Sequence, residues 1–282
     1  MQFSVLGPIR AHSEDGSDCS PRTLKLRILL ALLVEGANGV VSVDELVTGL
    51  WDKPPKTAVC AVQVYVSQLR KHFASLPTLI ETRDPGYVLH STAQQSDLHR
   101  AELLRAQVNA AECRGNRSEA SALLSQYLAL WSGPAFADVR RTAHMTQLAA
   151  YFDEQRARAL QRRISLDLVL GRHEALVPEL VDLVARHTHW EKIGAYLMLA
   201  LFRSGRAADA LAVFTRIRNS LVTSHGIGPS HELRILQQMI LRGDPDLADP
   251  ALLAEPIGTG DGVLRARARV VLPHRPISRH HS

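Results

Sequence analysis

Residues 56–73, KTAVCAVQVYVSQLRKHF, carry side chains suited to noncovalent recognition rather than to covalent chemistry. With about 100° between successive residues, a helix over this segment places small, hydrogen-bonding and basic residues on one face. That face consists of Thr57, Cys60, Val64, Ser67 and Lys71, with Ala61 and Gln68 beside it. Residues 53–76 contain four Lys or Arg residues and no acidic residue, so the face is suited to an anionic partner.

This combination fits a helix that reads base edges in the major groove of DNA. One helix fills that groove, and small side chains let its backbone approach the bases. Val64 is suited to a thymine methyl group, while Ser67 and Gln68 are suited to hydrogen bonds with base edges. Arg70 and Lys71 suit phosphates, which fix the register of a protein on DNA without reading sequence. The alternative is that this face packs against other helices of the chain.

The opposite stripe of the same helix is apolar and is predicted to face a core. It is formed by Val59, Val62, Val66, Leu69 and Phe73, which fall within a narrow arc at the helical period.

The elements around this helix are short, and turn residues separate them. The opening QFSVLGPIRAH predicts two strands broken by Gly-Pro, and residues 23–35 have the apolar spacing of an amphipathic helix. Ser42 and Glu45 form a capping box for the next helix, which DKPPK ends. After the long helix, two strands are predicted around the turn at residues 83–86, and Arg83 at its tip makes this hairpin a candidate wing.

From residue 97 to about residue 243 the pattern is almost entirely helical, and it carries an internal spacing. Gly115, Gly171 and Gly205 are each followed by a small or apolar residue five places later and by an apolar residue nine places later. The interval from Gly171 to Gly205 is the 34-residue period of a tetratricopeptide repeat (TPR). Helix–turn–helix repeats are therefore predicted, and a plain helical bundle with glycine turns is the alternative.

Composition excludes several classes of protein. The formal net charge is +5, but residues 1–90 carry nine basic and nine acidic residues, so bulk charge does not identify the binding region. No apolar run reaches the length of a membrane span, and the N-terminus lacks the pattern of a secretory signal, so a cytoplasmic protein is expected. The three cysteines are widely spaced, and the histidines form no metal-binding pattern. No cofactor and no metal are predicted.

Several motifs together resemble one bacterial family. MQFSVLGPIR, VVSVDELVTGLW, VQVYVSQLRK and TRDPGYVL are similar to the winged-helix output domain of OmpR-type response regulators. DLHRAELL, ALLSQYLALWSGPAFADV, LGRHEALVPELVDLVARH and the segment LMLALFRSGRAADALAVF are similar to the bacterial transcriptional activation domain (BTAD). This order resembles the Streptomyces antibiotic regulatory proteins (SARPs), over about residues 1–247.

The resemblance implies a mainly α fold: an N-terminal winged helix-turn-helix (α+β) at residues 1–92, followed by an all-α TPR-like domain at 97–247. Residues 250–282, with spaced arginines, are interpreted as a disordered basic tail. The resemblance also implies a nucleoid-associated activator of an antibiotic or other secondary-metabolite gene cluster. Such an activator binds direct repeats near the −35 region of a promoter and recruits RNA polymerase holoenzyme through its sigma, alpha or beta subunits. A single winged helix reads few base pairs, so a homodimer on double-stranded promoter DNA is expected.

Position by position, the resemblance implies the following DNA-binding residues: Cys60, Ala61, Val64, Tyr65, Ser67, Gln68, Arg70, Lys71 and Arg83. Thr57, on the same helical face, completes the predicted set. Candidate polymerase contacts lie in the loop before the long helix, at Trp51, Asp52 and Lys53. None of the base-facing positions carries a strong guanine-reading side chain, so discrimination is expected to depend on thymine methyl groups, DNA shape and repeat spacing.

Two other functions are alternatives to DNA binding. One is a TPR-like adaptor that binds proteins without specific DNA binding. The other is an enzyme, but the sequence contains no nucleophile elbow, phosphate-binding loop or zinc-protease motif, and the paired acids Asp44 and Glu45 are explained by helix capping. The chain is therefore predicted not to be an enzyme.

Overall fold

The computed structural model describes residues 1–73, 79–187 and 189–249. The predicted tail, residues 250–282, lies outside these residues. The mainly α fold class, with a winged helix followed by TPR-like helices, is confirmed. The N-terminal elements are β1 Gln2–Ser4, β2 Arg10–His12, α1 Leu24–Glu35, β3 Val41–Ser42, α2 Val43–Leu50, α3 Ala58–His72, β4 Ile80–Arg83 and β5 Gly86–Leu89. The helices that follow are α4 Asp97–Cys113, α5 Arg117–Ala129, α6 Ala143–Val169, α7 His173–Arg186, α8 Glu191–Arg203, α9 Ala207–His225 and α10 His231–Arg242, with a short 3₁₀ helix at Pro245–Ala248.

The strands form two small antiparallel sheets. β1 pairs with β2, with Phe3 opposite Ala11. In the second sheet β5 lies between β3 and β4, and Tyr87 is opposite both Val41 and Thr82. The β4–β5 hairpin is the predicted wing, and β3 ties it to the start of α2.

Two predicted features of the helix ends are confirmed: the capping box at the start of α2 and the glycines in the turns between helices. The Ser42 hydroxyl accepts the Glu45 backbone N–H, and the Glu45 carboxylate accepts the Ser42 N–H, which completes the capping box at α2. Gly115, Gly171 and Gly205 lie in the turns after α4, α6 and α8 with φ of 72°, 75° and 74°. This left-handed conformation favours glycine, so the repeated spacing marks helix–helix turns, as predicted.

Contacts divide the described residues into two compact units, one over Met1–Arg163 and one that begins at Ile164. The first unit combines the winged-helix elements with α4, α5 and most of α6. Its apolar core is continuous, because Phe3 and Leu6 from the N-terminal segment belong to the same buried cluster as Leu104 and Phe136. The boundary predicted between residues 92 and 97 stays a prediction, since by contacts the first unit continues across it.

Three aspartates join backbone segments that are far apart in the sequence of the first unit. Asp97 Oδ2 accepts the backbone N–H groups of Val5 and Leu6 at 2.8 and 2.9 Å. Asp138 Oδ1 accepts the N–H of Ile9 at 3.0 Å. Asp52 Oδ1 accepts the first backbone N–H of α6. We call Asp52, Asp97 and Asp138 the anchor carboxylates; each holds a backbone N–H at least ninety residues away.

In the second unit, α7, α8 and α9 pack against one another, and α8 is the central helix. Residues 193–201 of α8 are all buried. A Cβ added at Gly194 would lie 2.1 Å from Cδ1 of Ile217, so glycine permits the close approach of α8 and α9. Within the described residues, no helix has the length and apolar character needed to cross a membrane.

Candidate nucleic-acid interface

Helix α3 is oriented by four apolar side chains on its inner side. Val62, Val66, Leu69 and, just after the helix, Phe73 are buried, as predicted. Val59, the fifth residue of the predicted stripe, is 49% exposed, so its assignment to the core was wrong. Val59 lies one turn before Val62 at the edge of the arc, where the core no longer covers the helix.

The side of α3 away from the core is open. Its exposed side chains, which we call the outward face, are Cys60, Val64, Ser67, Gln68 and Lys71. Val64 is 53% exposed, so its methyl groups are accessible to a partner. Across residues 1–73 and 79–249, except 188, no side-chain hydrogen bond or ion pair involves this face. Thr57 is exposed and Ala61 half-buried beside it.

Tyr65 is the predicted base-facing residue with the most internal contact. It is half-buried and packs against the core. Its ring stacks on Trp51 with 6.2 Å between centroids and 27° between planes. Lys25 Nζ lies 4.8 Å from the centre of the Trp51 ring. The stacking fixes the start of the α2–α3 loop against α3.

Arg70 is held by the wing. Its Nε donates to the Ile80 carbonyl at 3.0 Å, and Nη2 donates to Thr82 Oγ1 at 2.8 Å. The guanidinium also lies 5.8 Å from the centre of the Tyr87 ring. Arg70 therefore sets the position of the β4–β5 hairpin relative to α3, and Lys71 is the neighbouring cation that remains exposed.

Arg83 ends β4 at the tip of the wing, where it is predicted to contact DNA. Its Nη2 forms an ion pair with Glu81 at 3.1 Å, and the side chain is 54% exposed. Glu81 also contacts His90 Nε2 at 2.9 Å. That hydrogen bond, followed by the charge of Arg83, lowers the pKa of Glu81, so the carboxylate stays ionised and partly neutralises the wing tip.

The candidate polymerase loop is only partly free. Asp52 Oδ1 accepts the N–H of Ala143, the first residue of α6, at 2.7 Å. Thr142 Oγ1 donates to the Gly49 carbonyl at 2.9 Å, next to that contact. Trp51 is half-buried in the stack with Tyr65, whereas Lys53 is exposed. Sequence reasoning missed these contacts. The only signals were the polar residues Asp52, in the loop before α3, and Thr142, directly before α6.

In the described parts of the chain, no group of three or more His, Cys, Asp or Glu residues is placed to hold a metal ion. The fold and the open face of α3 instead define a winged-helix regulator of the OmpR type.

Comparisons with known proteins agree with that class. The "Transcriptional regulatory protein, C terminal" family matches residues 20–89, and the "Bacterial transcriptional activator domain" family matches residues 96–241. The chain is 37% identical to regulatory protein DnrI of Streptomyces peucetius, over 88% of this chain and 94% of DnrI. It is also 37% identical to regulatory protein AfsR of Streptomyces griseus over 89% of this chain. That match spans only 26% of AfsR.

A solved structure of Mycobacterium tuberculosis EmbR in complex with a low-affinity phosphopeptide has the same architecture. The TM-score is 0.78 at 31% identity, covering 90% of this chain and 69% of the EmbR chain. The chain belongs to the Streptomyces antibiotic regulatory protein family of transcriptional activators. Regulators of this type bind DNA, and the prediction that the chain is not an enzyme is confirmed by the family.

Proposed function

We propose that this protein activates a secondary-metabolite, or antibiotic, biosynthetic gene cluster by binding direct repeats near the −35 region and recruiting RNA polymerase. The observation that carries the proposal is the outward face of α3. It offers base-reading groups and one exposed cation without internal partners, and the β4–β5 wing lies beside it.

The chemistry of the outward face suggests how the sequence is read. Val64 offers two methyl groups to a thymine methyl, and the Gln68 amide offers both a donor and an acceptor to base edges. Lys71 lies one turn after Ser67 at the basic end of the helix and is placed to meet a phosphate. Because Arg70 is already bonded to the wing, its proposed contribution to DNA contact is indirect, through the position of the hairpin.

The proposed complex has two or more copies in head-to-tail order on a direct repeat. One winged helix contacts few base pairs, and specific affinity commonly requires two modules about one helical turn apart. For polymerase recruitment, we propose Lys53 as the exposed contact of the α2–α3 loop. Trp51 and Asp52 would contribute by holding the loop in place.

Footprinting and gel-shift titration test the proposal. We expect two half-sites at one-turn spacing to bind at least about tenfold more tightly than one half-site, with both protected. A single short footprint that gains nothing from duplication would contradict head-to-tail binding. No affinity for promoter DNA at about 50 mM salt would favour the adaptor function instead. Deletion of the gene should lower transcripts of neighbouring biosynthetic genes.

A further inference from the structure

A second candidate binding site lies in the first unit, away from α3. It is a cleft among α4, α5 and α6 with a volume of about 540 Å³, counting the part that opens to solvent. The enclosed part is about 160 Å³, close to the roughly 150 Å³ of a cavity that binds benzene, so the cleft takes one aromatic ring and leaves the rest of a ligand in solvent. The lining residues repeat at helical spacing and are Arg105, Val108, Leu124, Tyr127, Gln155, Arg158, Ala159 and Arg162.

The floor of the cleft is apolar and fixed in place. Val108, Leu124 and Tyr127 are buried, and the Tyr127 ring packs against Trp131 with 6.4 Å between centroids. Burial raises the pKa of Tyr127, and the nearby charge of Arg105 opposes that rise. The floor therefore provides apolar contacts and an uncharged phenol for the body of a ligand.

The rim of the cleft is basic, since its lining contains three arginines and no carboxylate. Arg162 has a structural role: it pairs with Glu112 and contacts Asn109, which joins α6 to α4. Arg158 uses its Nε to reach Glu154 at 2.7 Å, and its side chain is 69% exposed. That single bond leaves the two Nη groups of Arg158 available.

Of the three arginines that line the cleft, Arg105 has the fewest interactions with other side chains. It is exposed on α4, and among the described residues it takes part in no ion pair. Guanidinium groups bind carboxylates and phosphates through paired N–H donors. Two such groups above an apolar floor match an anionic head attached to an apolar body.

We propose that this cleft binds a small organic anion with a planar apolar body, such as an aromatic carboxylate, with Arg105 and Arg158 holding the anionic head and Tyr127 contacting the body. The site is separate from the outward face of α3. Binding there is independent of the DNA-binding proposal, so the two are tested separately.

The first test uses 1-naphthoate as a probe and 1-naphthamide, its uncharged counterpart, as a control. Ligand-observed NMR titration of the full chain measures both dissociation constants. At the efficiency usual for small ligands, 1-naphthoate should bind with a Kd of about 1 mM or tighter. The amide should bind at least about tenfold more weakly, because it cannot form charge-assisted hydrogen bonds. Equal affinity of the two compounds, or no saturable binding of 1-naphthoate, would overturn the proposal.

Variants locate the binding to the cleft. R105Q/R158Q should weaken 1-naphthoate binding at least about tenfold, whereas R105K/R158K should weaken it less, because the charge remains while the paired donors are lost. The matched control R100Q removes an exposed arginine of α4 outside the cleft and should change the Kd less than about twofold. Unchanged binding by R105Q/R158Q would overturn the assignment. Should that variant fail to fold, the comparison of carboxylate and amide on the unaltered chain still decides.

Discussion

The outward face of α3 and the anchor carboxylates show two uses of polar side chains in the same unit. Side chains of the outward face have no hydrogen bonds or ion pairs to other described residues and project from a helix whose inner side is buried. The anchor carboxylates Asp52, Asp97 and Asp138 accept backbone N–H groups and hold distant segments together. Substitutions on the face should therefore change partner binding and leave stability unaltered, while substitutions of the anchors should change stability.

The same difference distinguishes two neighbouring residues that had the same predicted role. Asp52 and Lys53 are adjacent, and both were candidates for polymerase contact. The structure joins Asp52 to the first turn of α6, and Lys53 remains exposed. Exposure in a loop is thus insufficient to mark a partner contact, because a polar side chain there can already satisfy a helix end.

The largest effect is expected for Asp97→Ala. This change leaves the N–H groups of Val5 and Leu6, both buried residues, without their acceptor. Because an unsatisfied buried donor costs roughly 1–3 kcal/mol, the free energy of unfolding at about pH 4, where the folded Asp97 carboxyl is protonated, should fall by about 3 kcal/mol, measured by urea denaturation. Asp97→Asn is the control, since its amide oxygen can still accept both bonds. Equal losses for Ala and Asn would show that these bonds are not the cause.

A pH dependence follows from the same carboxyl group. Burial raises the pKa of Asp97 to about 6, and its Oδ1 has no hydrogen-bond partner among the described residues. An unfolded aspartate has a pKa of about 4. The unfolded chain therefore loses this proton first, and the contribution of Asp97 to stability falls by about 3 kcal/mol as pH rises from about 4 to 6.

The measurement is a series of urea denaturation curves between pH 4 and pH 6.5 for the unaltered chain and for Asp97→Asn. The fall assigned to Asp97 should be absent from the asparagine variant, because its side chain does not titrate. The difference between the two chains should be constant above about pH 7. A difference that does not vary between pH 4 and 6 would refute the assignment.

A smaller loss of stability is expected for Asp52→Ala. Its carboxylate accepts the first N–H of α6, and loss of a helix-capping acceptor costs about 1 kcal/mol. Lys53→Ala, one residue further along, should change stability by less than about 0.5 kcal/mol while lowering transcription activated in vitro. If Asp52→Ala instead abolished activation without lowering the melting temperature, Asp52 itself would be a polymerase contact.

The smallest effects on free energy are expected on the outward face, and they should differ in kind. Lys71→Ala should weaken DNA binding several-fold for all sequences and reduce the salt slope of log K by about 1, because one phosphate contact is lost. Gln68→Ala should change preference among half-site sequences without changing that slope. Gel-shift titrations at several salt concentrations measure both. If the two variants behaved alike, the assigned roles along α3 would be incorrect.

Local rules predicted much of the fold and part of the candidate site. Periodicity identified α3 and four of its five inner residues, and the capping box identified the start of α2. Val59 was wrongly assigned to the core. A helical wheel gives the direction in which a side chain points, but not how far the core extends to cover that side chain. Arg70 was predicted to contact phosphate, but its partners Ile80 and Thr82 lie in a hairpin whose position no local pattern specifies.

The sequence by itself determined the helices, their turns and the two different faces of α3, because periodicity, caps and glycine positions act over a few residues. Only the tertiary structure decided which polar groups were already satisfied and which elements shared a core. Asp97 and Asp52 look like ordinary residues at helix ends, yet their hydrogen-bond partners are about ninety residues away. Such pairing depends on how whole elements pack, since every buried backbone donor must find an acceptor wherever the chain brings one.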